Sequence, residues 1–267
     1  MPAATNRYQR ILEAIFFTHY EPGKLAVPFR RADILEAAHE LGIEPPKNLG
    51  DVLYSLRYRE GLPARIAETA PEGKEWIIRS TGKGEHVFAQ VARFAIVPSS
   101  LLAETKIPDS TPGIIEKYAL SDEQALLAKV RYNRLIDIFV GLACYSLQNH
   151  LRTTVPRLGQ VETDEIYVGI DKRGAHYVVP VQAKGGRDRI GRVQLEQDMR
   201  VCAAKFPDLI CRPVAAQFMS ADLIALFEFV QEGEEVRIVG EKHYRLVRPE
   251  NLSMEELASY KRRPLDA

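Results

Sequence analysis

Cysteine is scarce in this chain: three in 267 residues, Cys144, Cys202 and Cys211, widely spaced and set in apolar surroundings. An odd, scattered set makes neither a disulfide framework nor a zinc site, and reads as buried free thiols in a reducing compartment. An excess of charge of one sign is missing as well. The 36 Lys and Arg residues balance the 36 Asp and Glu residues, so no global polycation draws the protein to nucleic acid, and any such attraction must come from local patches. No apolar run is long enough to span a bilayer, and the opening MPAATNRYQR is polar. The expectation is a cytoplasmic protein with no signal peptide and no membrane partner. What is present, 46% hydrophobic and 27% charged residues, is an ordinary globular composition with length enough for two domains.

The most informative stretch is 160–186, QVETDEIYVGIDKRGAHYVVPVQAKGG. Residues 161–169 and 176–183 are rich in Val, Ile, Tyr and Thr and predict two strands, with Asp171-Lys172-Arg173-Gly174 as the turn between them. Antiparallel pairing about that turn sets Asp164 opposite Gln182 and Glu162 opposite Lys184. Side chains alternate along a strand, so Glu162, Asp164, Gln182 and Lys184 are expected on one face and Glu165 on the other. Two carboxylates, an amide and an ammonium gathered beside an apolar run are poor material for stability alone. They suit a hard divalent cation, which takes oxygen ligands from one or two carboxylates, water and substrate phosphate. Asp164 is the natural first ligand. The side-chain oxygen of Gln182 and the backbone carbonyl of Ala183 complete the set, and Glu162 binds directly or through water. Lys184 is placed to orient the attacking water or to meet charge building on a phosphate. The competing reading is a solvated pair of strands with cross-strand ion pairs.

This arrangement resembles the PD-(D/E)xK nuclease superfamily, and within it the Mrr-like restriction nucleases that carry Gln in place of the second acid. Asp164 matches the metal-binding Asp, Gln182 the variant acid and Lys184 the catalytic Lys. Thr163 stands where Pro often precedes the Asp. The resemblance covers residues 115–230 and implies a restriction-endonuclease-like α/β core with a mixed central sheet, Mg²⁺ (or Mn²⁺) as cofactor and phosphodiester hydrolysis as activity. A glutamine in the following helix often supports such a site, which makes Gln194 a supporting candidate. A Glu at position 182 is expected to tighten metal binding.

Residues 97–113, with three prolines and no periodicity, read as a linker between a first domain at 1–96 and a nuclease-like domain at 114–267. In the first domain Tyr8, Ile11, Leu12, Ile15 and Phe16 recur at helical spacing, as do Ile34, Leu35, Ala38 and Leu41, and then Leu49, Val52, Leu53 and Leu56. Short strands follow at 64–69 and 75–80 around the turn Pro71–Lys74, with a third at 85–91. That order resembles a winged helix-turn-helix domain. Its third helix would present Asn48, Tyr54, Arg57 and Arg59 to the major groove while Lys74 and Arg79 of the wing meet phosphate. The same order also occurs in protein-contact modules, which is the competing reading.

The second domain opens with an apolar series, Leu127, Val130, Leu135, Ile138, Phe139, Leu142 and Tyr145, that predicts one long helix from a Ser121–Gln124 capping box to about Leu151. His150 is then a helix-end residue. Arg187, Arg189 and Arg192 in GGRDRIGR precede a helix at 190–205 and are candidate DNA-backbone contacts; strands follow at 209–211, 224–230 and 236–239. The expected function is a Mg²⁺-dependent endonuclease for double-stranded DNA, working as a homodimer because two strands need two sites. The alternative is a DNA-binding regulator or scaffold on an inert nuclease fold. Recognition sequence and a companion methyltransferase are not legible.

Overall fold

The structure is a computed structural model and describes residues 6–45, 53, 62–94, 96–118, 123–156, 158–185, 190–233 and 235–263. It is an α/β protein whose chain gathers into two units. The first comprises Met1–Ala95, Arg152–Val161 and Gly191–Gln197, and the second Ile96–Leu151, Glu162–Ile190 and Asp198–Ala267. Among the described residues no helix is long and apolar enough to cross a membrane, and the three cysteines are free thiols.

In the first unit α1 (Arg7–His19) begins at Asn6, whose side chain accepts from the backbone N–H groups of Tyr8 and Gln9 while Gln9 reaches back to the Asn6 N–H. This capping box satisfies orphan donors at the helix start. Ile11, Leu12, Ile15 and Phe16 form the buried stripe that their spacing requires. They pack on β1 (Ala26–Arg30), α2 (Arg31–Glu40), the one-turn α3 (Ala64–Ala67), β2 (Lys74–Gly82) and β3 (Glu85–Ala92). The three strands form an antiparallel sheet in the order β1-β3-β2. Phe16 sits at the centre, edge-on to Trp76 and Phe88 with 5.2 Å between ring centroids in each case.

The hairpin differs from the expected one. Residues 64–67 are a helical turn, not a strand, because a run of four with only Ile66 buried carries no alternation to distinguish the two. Pro71–Lys74 is a turn leading into β2, and the hairpin itself turns at Gly84, which has φ +75°. The third helix falls outside the described residues apart from Leu53, which is helical and buried.

The second unit holds β4 (Glu104–Pro108), α4 (Gly113–Tyr118), α5 (Glu123–Tyr132), α6 (Leu135–Val140), β5 (Ala143–Val155), β6 (Gly159–Ile170), β7 (His176–Lys184), α7 (Arg192–Lys205), β8 (Ile210–Cys211), β9 (Val214–Phe218), β10 (Leu223–Glu232), β11 (Glu235–Val247) and α8 (Met254–Tyr260), some of them begun or finished by segments of the first unit. Its mixed eight-stranded sheet runs β4-β11-β10-β9-β7-β6-β5, with β8 beside β7. The pairs β4/β11, β7/β8 and β7/β9 are parallel and the hairpins β6/β7, β9/β10 and β10/β11 antiparallel. Parallel β7 and β9 need a crossover, which α7 supplies. Leu126, Leu127 and Val130 of α5 and Leu135 and Ile136 of α6 cover Val179, Val181, Ala216 and Leu226 of the sheet.

Two sequence expectations change here. The segment 97–113 is not a plain linker, since Glu104–Pro108 add a parallel edge strand to β11. The expected long helix is two short ones followed by the edge strand β5. Arg134 takes a left-handed conformation with φ 50° and Gly141 another with φ 68°, each ending a helix. Apolar residues spaced for a helix through Tyr145 thus continue across a break that their period does not register.

A candidate active site where two strands fork

The β6/β7 ladder runs from Ile170↔His176 to Glu165↔Val181, the register expected from the turn. Backbone pairing stops there. Beyond it β7 continues beside β9, with Gln182 opposite Ala215 and Lys184 opposite Gln217, while the preceding residues of β6 leave β7. Asp164 bridges the gap: its Oδ2 accepts from the backbone N–H of Ala183 at 2.9 Å. Burial raises the Asp164 pKa, partly offset by that N–H and by the Lys184 charge.

The fork redistributes the side chains that strict alternation would put on one face. Gln182 is 1% exposed and donates from Nε2 to Asp198 Oδ2 of α7 at 2.8 Å. Thr163, fully buried, donates from Oγ1 to the other oxygen of Asp198 at 2.6 Å. The remaining atom of the Gln182 amide, Oε1, is buried without a hydrogen-bond partner among the described residues. Asp198 is itself buried, and burial pushes its carboxyl up to about 7 against the pull of its two donors. Lys184 Nζ lies 2.5 Å from Glu123 Oε1, at the first turn of α5. Glu162 faces His150, with Oε1 3.3 Å from Nδ1, and the other ring nitrogen of His150 meets Gln124 Nε2 at 2.8 Å. His150 therefore belongs to β5, at φ 47°, and is not a helix end.

Asp164, Ala183, Gln182 and Lys184 are thus brought to one place, and Glu162 is committed to His150. Gln194 does not reach the site; its Oε1 takes the N–H of Gly191 at the start of α7, and the α7 residue that touches Gln182 is Asp198, one turn further on. Glu123 and Asp198 are the residues that sequence reasoning missed. Glu123 lies inside the stretch read as a capping box, and Asp198 lies in the helix expected at 190–205, where Gln194 was taken as the supporting residue. Asn48, Tyr54, Arg57, Arg59, Arg187 and Arg189, like Ser121 of the capping box, lie outside the described residues. Lys74 is exposed at the start of β2. Arg192 is a correction: it is buried, with Nε 2.9 Å from Glu196 Oε1 and Nη1 on the Ala92 carbonyl, so it presents no charge to a phosphate. Arg79 of the expected wing is likewise turned inward, bonded through Nε and Nη2 to both oxygens of Glu196.

Among the described residues no three His, Cys, Asp or Glu side chains converge as a metal cluster. The oxygens at the fork nevertheless fit a hard cation. Gln182 Oε1 lacks a partner among the described residues, Asp164 carries a carboxylate that burial disfavours in the charged form, and each would gain from a positive ion. Comparisons of the chain with protein-family models, with curated proteins and with solved structures return no match.

Proposed function

We propose that the protein is a Mg²⁺- or Mn²⁺-dependent endonuclease of double-stranded DNA. The observation that carries this is a buried Gln182 Oε1 with no partner among the described residues, next in the chain to Ala183, whose N–H the Asp164 carboxylate accepts within reach of the Lys184 charge. Asp164, Gln182 Oε1 and the Ala183 carbonyl would hold the cation. A cation there supplies Lewis acidity and a water acidic enough to ionise near neutrality. Lys184, held by Glu123, meets negative charge as it develops on the scissile phosphate. Water adds to phosphorus, the phosphorus–oxygen bond to the leaving strand breaks, and that strand departs as an alcohol. Glu162 and His150 form a pair next to this centre and take part through bound water.

The helix, strand, helix and hairpin order of the first unit supports a winged-helix reading, with DNA met by the segment 47–59 and by Lys74. Cutting both strands calls for two chains related by a two-fold axis. The test is incubation of the purified protein with supercoiled plasmid and Mg²⁺, beside Asp164→Ala. Cleavage that requires both the metal and Asp164 is the expected result. Absence of cleavage by the parent, with DNA binding retained, would instead identify a DNA-binding protein on an inert nuclease fold.

A further inference from the structure

The amide of Gln182 is two-sided: its NH₂ donates and its oxygen accepts. A carboxylate only accepts. Because Asp198 takes the NH₂ at 2.8 Å, the oxygen is the end of the amide left over, and it is buried with no partner among the described residues. Asp198 is not free to swing, since its second oxygen is fixed by Thr163 at 2.6 Å and the carboxyl is 1% exposed. All three side chains are closed off from bulk water, so nothing at the surface would randomise the choice.

The geometry points to Asp198 as a positioning residue: it locks the Gln182 amide with its oxygen presented to a divalent cation at Asp164. When ionised it also holds, one hydrogen bond away, the negative charge that Gln182→Glu would place on the ligand itself. This rests on the metal-centre reading above. Partners in contact with a metal ligand orient it and tune its affinity, and here the partner also decides which end of the ligand faces the metal.

Positions 182 and 198 then form an exchangeable pair, which alters the expectation for Gln182→Glu. Alone, that change sets two buried carboxylates at hydrogen-bond distance, where they resist ionising together. Asp198→Asn alone introduces an amide that can donate to Oε1, so the ligand oxygen is captured or the amide turns over. Gln182→Glu with Asp198→Asn restores one carboxylate and one amide, and either oxygen of the new Glu can face the cation while the other accepts from Asn.

The experiment titrates Mn²⁺ calorimetrically into the full-length parent, Asp164→Ala, Asp198→Asn, Gln182→Glu and the Gln182→Glu/Asp198→Asn double variant, with thermal unfolding of each metal-free protein alongside. Asp198→Asn should weaken Mn²⁺ binding by about 10–100-fold while still unfolding cooperatively, and the double variant should recover most of that loss. Parent-like binding by Asp198→Asn, or a double variant no better than it, overturns the positioning role while leaving the metal centre intact. A parent that binds no Mn²⁺ above the level of Asp164→Ala overturns the metal centre and this role with it. Should a single variant fail to fold, NMR of the metal-free parent still decides. The Gln182 side-chain protons should exchange slowly and couple across the hydrogen bond to the Asp198 carboxyl carbon, and a freely exchanging amide without that coupling overturns the assignment.

Discussion

Asp164 and Glu165 are consecutive on β6, yet they occupy opposite electrostatic worlds. Glu165 is fully buried and already has its cation: Oε1 accepts from Arg131 Nε at 3.0 Å and from Ser146 Oγ at 2.6 Å, and Arg131 is steadied by Asn149. Asp164 has one backbone N–H, and burial lifts its pKa. Asp198 is deeper still and, among the described residues, is met by the Thr163 hydroxyl and the Gln182 amide. One side of the strand has an ion pair from the chain itself, although Glu165 Oε2 is buried with no hydrogen-bond partner among the described residues. The other gathers acceptors with Lys184 as a neighbouring charge that is itself paired to Glu123, and under the proposed function a cation would complete it.

The strongest way to break this contrast is Asp164→Ala. It should lower Mg²⁺-dependent plasmid cleavage by at least about 10³-fold, roughly 4 kcal/mol of barrier, while the metal-free protein unfolds at the same urea concentration or a higher one. Arg131→Ala tests the ion-paired side. It strands a buried carboxylate and should cost about 3 kcal/mol of folding stability, at the low end for a broken buried pair because the Arg131 side chain is 36% exposed. Urea titration reads the loss, and Mn²⁺ affinity of the folded fraction should not change; a large loss of affinity with little loss of stability would reverse the two roles.

A smaller effect concerns pH. Burial pushes the folded Asp198 carboxyl up to about 7, above its unfolded value, against the hydrogen bonds from Thr163 and Gln182, with Asp164 adding to the rise and Lys184 opposing it. A raised acid favours the folded state fully below its unfolded pKa, about 4, and that contribution is lost as pH rises through the folded value. The melting temperature of the metal-free parent should therefore fall relative to Asp198→Asn between about pH 4 and 7, and saturating Mg²⁺ should shrink the fall. A difference that stays constant over this range would mean that Asp198 is ionised throughout. The smallest expected effect is at the first unit, where Lys74→Ala should reduce the salt slope of DNA binding by about one unit without changing sequence preference.

Much of the site's scaffold was legible because its signals are local. The turn at 171–174 and the β-branched runs on either side fix a register that holds from Ile170 to Glu165. Period found α1, and α7, β8, β10 and β11 lie where helix and strands were expected, but β9 beside β7 was not expected. What escaped was decided by distant partners. Whether Gln182 faces Asp164 or α7 depends on where the ladder ends, and nothing in 160–186 marks that end. Asp198, Glu196 and Arg192 are charged residues on a helix, which ordinarily means solvent, but each is buried against a partner far away in the chain or on its own helix. The break at Arg134 was hidden for a similar reason: Asn133, which stabilises it, is buried and bonds to Asp109, Thr111 and the Ser110 N–H, more than 20 residues upstream.

The hydrogen bond from Ala183 N–H to Asp164 has a further consequence. In a continuous ladder that amide would be guarded by backbone, and its exchange with solvent deuterium would report on unfolding of the strand pair. Here its guard is a side chain that also serves as the candidate ligand. A cation drawing on the carboxylate and the opening of this one amide are thus linked events, so Ala183 is a built-in gauge of the site. Its protection should drop selectively in Asp164→Ala and shift on adding Mg²⁺, while Val181 and its neighbours along the paired part of the hairpin keep theirs.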